Sequence, residues 1–180
     1  MKKSLMLLFI GLLISSLTIF NSCKKDELPS MSCKIGGTTW LSTFRVSVMG
    51  EIDLGGISGV LITATNGADA NLADGEYFAI LIRGNEVKSY DLAIAMEGAK
   101  FQCAAVYFPN GLNTATKFIG TSGTVEITKV DTDNQKISGT FSFEMKNSIT
   151  DTDTKSITTG VFNNLKYTEP SNAIDLMGLF

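Results

Sequence analysis

The stretch KISGTFSFEMK, residues 136–146, decides the fold. Ile137, Gly139, Phe141, Phe143 and Met145 alternate with Lys136, Ser138, Thr140, Ser142, Glu144 and Lys146. Successive side chains of a strand point to opposite faces, so this period of two buries one face and wets the other. Just upstream, residues 124–130 are rich in β-formers, and Asp131, Thr132, Asp133, Asn134 and Gln135 between the two segments are turn formers. The pair therefore reads as an antiparallel hairpin. Residues 156–167 supply a third strand, whose alternation breaks at Gly160, where Val161 and Phe162 are adjacent apolar residues. A bulge there is expected to bring both into apolar surroundings.

The same rhythm extends towards the N-terminus. GVLITAT (59–65) and EYFAILI (76–82) flank turn signals at Asn66, Gly67, Asp74 and Gly75, while residues 89–96 and 101–108 flank Glu97 and Gly98. Residues 38–42 form an early strand around Trp40, the only tryptophan, which is expected to plug the core rather than stack on a sugar. No apolar stripe of helical period is long enough for a major helix between residue 31 and about 167. The expectation is an all-β domain of about eight to ten strands, an antiparallel β-sandwich, with a flattened or closed β-barrel as the alternative. Periodicity does not separate the two.

Composition bounds the chemistry. The chain has 180 residues, 44% hydrophobic and 18% charged, which suits one domain. It has no histidine, which excludes Ser-His-Asp and Cys-His catalysis, imidazole metal ligands and histidine-based pH switching. A formal charge of -3 and a pI near 5.0, with no basic block beyond the extreme N-terminal region, argue against a nucleic-acid partner. There is no G-x-S-x-G elbow and no G-x-x-x-x-G-K-[ST] phosphate loop. Paired carboxylates can hydrolyse glycosides without histidine, but Asp69, Asp74, Glu76 and Glu86 sit in or beside turns, where solvated acids are ordinary. The expectation is a non-catalytic protein with no cofactor.

The first residues read as an address. Lys2 and Lys3 precede an uncharged run, residues 4–22, with the apolar heart LMLLFIGLLI at 5–14. Polar Ser15, Ser16, Thr18, Asn21 and Ser22 dilute the run, which makes a permanent membrane span the second reading. Cys23 follows small Ser22, in the place where a bacterial lipoprotein is cut and acylated. The segment resembles a lipobox in which Phe20 and Asn21 replace the usual leucine and small residue. Residues 1–22 are thus read as a lipoprotein signal peptide, 23–30 as a lipidated tether, 31–168 as the β domain and 169–180 as an apolar C-terminal tail forming a last strand or short helix. Two of the 15 basic residues and none of the 18 acidic ones lie in the leader, which leaves the mature chain at -5. Lys24, Lys25, Asp26 and Glu27 resemble the lysine-plus-acids export signal of Bacteroidetes surface lipoproteins, which implies an outer-membrane lipoprotein exposed at the cell surface rather than facing the periplasm.

TVEITKVDTDNQKISGTFSFEMKN (124–147), SITTGVFNNLKY (156–167) and the opening MSCKIGGTTW (31–40) together resemble a family of small uncharacterised Bacteroidetes lipoproteins with an ISGTFSF-type hairpin signature. The resemblance implies a secreted β-rich lipoprotein and carries no activity with it.

Once Cys23 carries lipid, Cys33 and Cys103 remain, either bridged as a disulfide or buried as free thiols. Asp131, Asp133 and Gln135 alternate like calcium ligands. The pattern fails because Lys136 stands where a glycine is required and Ser142 where a glutamate is, so no metal site is expected, and Asp151 and Asp153 take the same reading. Two functions remain: a binding module for a glycan, a peptide or a small apolar ligand, and a structural or protein-interaction lipoprotein of the outer membrane.

Overall fold

A computed structural model describes residues 30–53, 57–67, 75–92, 102–150, 152–168 and 174–175. Among them are eleven strands and no α-helix: β1 (Ser30–Ile35), β2 (Thr38–Leu41), β3 (Phe44–Asp53), β4 (Ile57–Thr65), β5 (Tyr77–Ile82), β6 (Ser89–Asp91), β7 (Cys103–Phe108), β8 (Phe118–Asp131), β9 (Lys136–Asn147), β10 (Thr154–Thr168) and β11 (Ile174–Asp175). They form one sheet in the order β11-β3-β4-β5-β7-β8-β9-β10-β1-β2, with β6 paired to β8. The long β10 shares one edge between β1, antiparallel at residues 157–163, and β3, parallel at Tyr167 and Thr168. The sheet is thereby strongly curled into a half-barrel, the all-β architecture that the alternation requires.

The curl has a local cause. β9 keeps a regular alternation, whereas each of its neighbours carries two bulges against it, between Gly120 and Ser122 and between Ile127 and Lys129 on β8, and between Ile157 and Gly160 and between Phe162 and Leu165 on β10. An extra residue on one strand bends the ladder and sharpens its twist. Thr159 and Asn164 sit in the β10 bulges with φ of 50° and 48°. The first bulge falls ahead of Gly160, so it resets the phase and leaves Gly160 and Phe162 facing inwards. Phe162 is fully buried but Val161 is 41% exposed, so the bulge does not bring both into the core.

Glycine and phenylalanine of the signature interlock. Gly139 lies opposite Phe162 and Gly160 opposite Phe141, and a Cβ built at either glycine would overlap the facing ring. Each ring covers the bare backbone of the neighbouring strand, and the two rings stack at 6.5 Å. The hairpin of β1 and β2 turns through Gly36 and Gly37, whose φ of 56° and 87° are what a two-residue type I′ turn demands.

Phe78 joins two walls of the curled sheet, the one containing β5 and the one containing β9. Its ring stacks on Phe141 of β9 at 5.5 Å and stands 6.3 Å from each of Phe143, Trp40 and Tyr107. The interior between these walls is therefore filled with rings, and Trp40 plugs it as expected. Every residue of β5 is buried, because its other face packs separately: Tyr77 and Ala79 lie with Val106 and Phe108 of β7 in a second apolar cluster. The strand at 89–91 is short and pairs with β8, held by the Tyr90 hydroxyl, which accepts from the Glu86 N–H at 2.9 Å and donates to its carbonyl at 3.1 Å. In the tail, Ile174 and Asp175 form a strand parallel to β3, the first of the two arrangements expected there.

Candidate functional site

The residues singled out by the sequence do not converge. Cys23, Lys24, Lys25, Asp26 and Glu27 lie outside the described residues, as do Asp69, Asp74 and Asp151. Cys33 and Cys103 are both buried and free, so the bridge is not formed. They stand on β1 and β7, strands that are not neighbours in the sheet, and the Cys103 thiol is spent on the Tyr90 carbonyl at 3.3 Å. Burial pushes each thiol up to about 12, with the charge of Glu76 adding to the effect at Cys33. Both are inert thiols. The hairpin turn uses its own acid: Asp131 accepts from the Asn134 N–H at 3.0 Å and from its side-chain amide, which holds the Asp131 carboxyl below its ordinary range. Among the described residues no three Cys, Asp or Glu side chains group as metal ligands. Glu86 is exposed and paired with Lys88 at 2.6 Å.

The groups that do converge come from three segments. After β2 the chain turns at Ser42 and Thr43, leaving the β1 ladder (Ser42 N–H to the Met31 carbonyl, 3.0 Å) for that of β4 (Thr43 N–H to the Thr65 carbonyl, 2.9 Å). Next to Thr65, Asn66 donates its amide to the Glu76 carboxylate at 2.6 Å and accepts the Glu76 N–H at 2.7 Å. The buried Tyr107 hydroxyl donates to the other oxygen of Glu76 at 2.5 Å. Burial, followed by this bond to a carboxylate, raises the Tyr107 phenol far above its ordinary value. Glu76 is felt electrostatically by Cys33, which lies opposite Trp40 across the β1–β2 hairpin. Trp40 is 3% exposed and Ser42 is 6% exposed, and neither the Trp40 Nε1 nor the Ser42 Oγ meets a hydrogen-bonding group of the protein.

A second feature lies away from Ser30, the first described residue. Ser30 pairs with Asn163, nine residues along β10 from Thr154, a separation of roughly 30 Å at about 3.3 Å per residue. At that far end the Gly36 N–H binds the Ser156 carbonyl and the Ser148 N–H binds the Lys117 carbonyl, which gathers the β1–β2 turn, the β7–β8 connection and the β9–β10 turn. Ile149 on the β9–β10 turn is 65% exposed, and Leu112, earlier on the β7–β8 connection beside Gly111, whose N–H binds the Gly75 carbonyl, is 39% exposed.

Residues 28–166 match the family described as a domain of unknown function, DUF6252. The chain belongs to that family. The DUF6252 match takes in β1 through most of β10, and with them the Ser42 corner, the Glu76 network and the far loops. Neither the curated proteins nor the solved structures give a match. Within the DUF6252 domain the ISGTFSF stretch is explained by packing, since its glycine and phenylalanines build the ring stack of the core. The Glu76 network was beyond sequence reasoning. Asn66 and Glu76 flank a legible turn, but nothing in the primary structure links them to Tyr107, 31 residues beyond Glu76.

Proposed function

We propose that this DUF6252 protein is an outer-membrane lipoprotein, anchored through Cys23 and displayed at the cell surface, whose β domain binds a peptide segment of a partner without catalysing a reaction. The observation that carries the reading is the exposure of Leu112 and Ile149 on two loops, the β7–β8 connection and the β9–β10 turn, which the Ser148 N–H to Lys117 carbonyl bond ties together. Three other observations support it. The ring-filled interior disfavours a small apolar ligand held inside, and the aromatic side chains described are all buried, which disfavours a sugar-stacking platform among them. The acidic mature chain disfavours nucleic acid. Glycan binding and a purely structural envelope role are the competing readings.

Two measurements test it. Substituting Cys23→Ser should abolish palmitate labelling and membrane retention, and protease added to intact cells should degrade the wild-type domain; a domain shielded from protease places it in the periplasm instead. On peptide and glycan arrays the protein should bind peptides, and the double variant Leu112→Asp, Ile149→Asp should lose at least tenfold in affinity while keeping its melting temperature. Binding confined to glycans would transfer the assignment to the glycan reading.

A further inference from the structure

The two buried donors at the Ser42 corner point to an inward site, in contrast to the exposed Leu112 and Ile149. Ser42 follows the end of β2 and still bonds β1 through the Met31 carbonyl; Trp40 and Ser42 are buried while Leu41 between them is exposed, so the two share the inward side. Buried N–H and hydroxyl groups are costly to leave unpaired, and here the indole N–H and the hydroxyl, two residues apart in sequence, are both buried with no protein partner. The surrounding chemistry selects what would satisfy them. The indole N–H only donates, which rules out a cation as its partner. The Glu76 carboxylate, within electrostatic reach of the residue facing Trp40, disfavours an anion. Serine can both donate and accept, so it tolerates a hydroxyl as readily as a carbonyl.

We infer that the Ser42 corner binds a small neutral oxygen acceptor, the oxygen of a hydroxyl or carbonyl group, held by the Trp40 indole N–H and the Ser42 hydroxyl. The group belongs either to a long-lived internal water or to a solute bearing hydroxyls. The presence of one tryptophan makes the site directly observable, since the chain has a single indole N–H resonance.

The test is nuclear magnetic resonance on the 15N-labelled full chain in detergent, with glycerol and glucose as solute probes. A solute occupant should shift the indole resonance saturably, and a water occupant should give cross-relaxation between the indole proton and a water that exchanges slowly with bulk. In either case Ser42→Ala should weaken the response at least tenfold while Ser42→Thr, which keeps the hydroxyl, retains it. The backbone spectrum of each variant reports whether the fold survives, and the wild-type response alone decides the matter if Ser42→Ala does not fold. An indole proton that responds to neither solute nor water overturns the inference, as does a response that a folded Ser42→Ala leaves unchanged.

Discussion

The arm made of β8, β9 and β10 and the wall made of β4, β5 and β7 belong to one sheet but treat their outer faces differently. On β9 the outward Thr140, Ser142 and Glu144 are exposed while Phe141, Phe143 and Met145 are buried. On β5 the outward Tyr77 and Ala79 are as buried as the inward Phe78 and Ile80. A strand wet on one side alternates in sequence, and one buried on both sides reads as a continuous apolar run. The arm thus has a free face, whereas the wall is interior on both.

The strongest way to break this comparison is to place one charge on the outer face of each. Ala79→Asp would bury a carboxylate with no partner and should cost more than about 4 kcal/mol or prevent folding, whereas Ser142→Asp should stay within about 0.5 kcal/mol of wild type. Equal shifts of the urea midpoint would show that the outer face of the wall is not sealed. Next in size is Phe141→Ala, which removes the ring between Phe78 and Phe162 and should cost about 3–5 kcal/mol, against no measurable change for Ser142→Ala. If the two midpoints coincide, the facing of β9 is wrong.

The smallest effect sharpens the comparison at the two ends of the interior, where β1 and β7 each bury a thiol. Both thiols stay protonated in the fold up to about pH 12, whereas an unfolded chain releases their protons above the ordinary value of 9.0. The unfolded state then holds fewer protons than the native one, so the stability due to these groups is complete below about pH 9 and declines as pH rises from there towards 12. Melting temperature should fall across that window. Iodoacetamide at pH 8 should leave Cys33 and Cys103 unmodified in the native protein and label both after unreduced denaturation; failure to label after denaturation would reveal a disulfide.

The arm was legible in the sequence and the wall only half so. Alternation plus a run of turn formers specified the β8–β9 hairpin, because both signals are local and the register follows from the turn. For β5 the sequence announced a strand, but a run of six apolar residues does not say what lies over its second face. The short strand at 89–91 is separated from its partner β8 by a whole intervening strand, so no adjacent pattern marks the pairing. Phase errors are equally instructive: Val161 faces outwards because the bulge that controls it lies at Thr158 and Thr159, before the glycine that advertises it. At the site, Trp40 was readable as a core residue, whereas the role of Ser42 depends on a change of ladder that no nearby residue encodes.

The short parallel contact between β3 and β10 has a kinetic consequence. The β8–β9–β10 meander joins neighbours in sequence, but Ser47 meets Tyr167 only after some 120 residues of intervening chain have been brought together. Loop-closure entropy makes such a contact slow to form, so the meander should appear early on the folding path and the joining of β3 to β10 should come last. Substitutions at Phe141 should then slow refolding, and those at Tyr167 should chiefly speed unfolding. A chain that emerges from its N-terminus would spend that interval with its first strands waiting for its last, and the reverse kinetic pattern would show that the closure itself nucleates the fold.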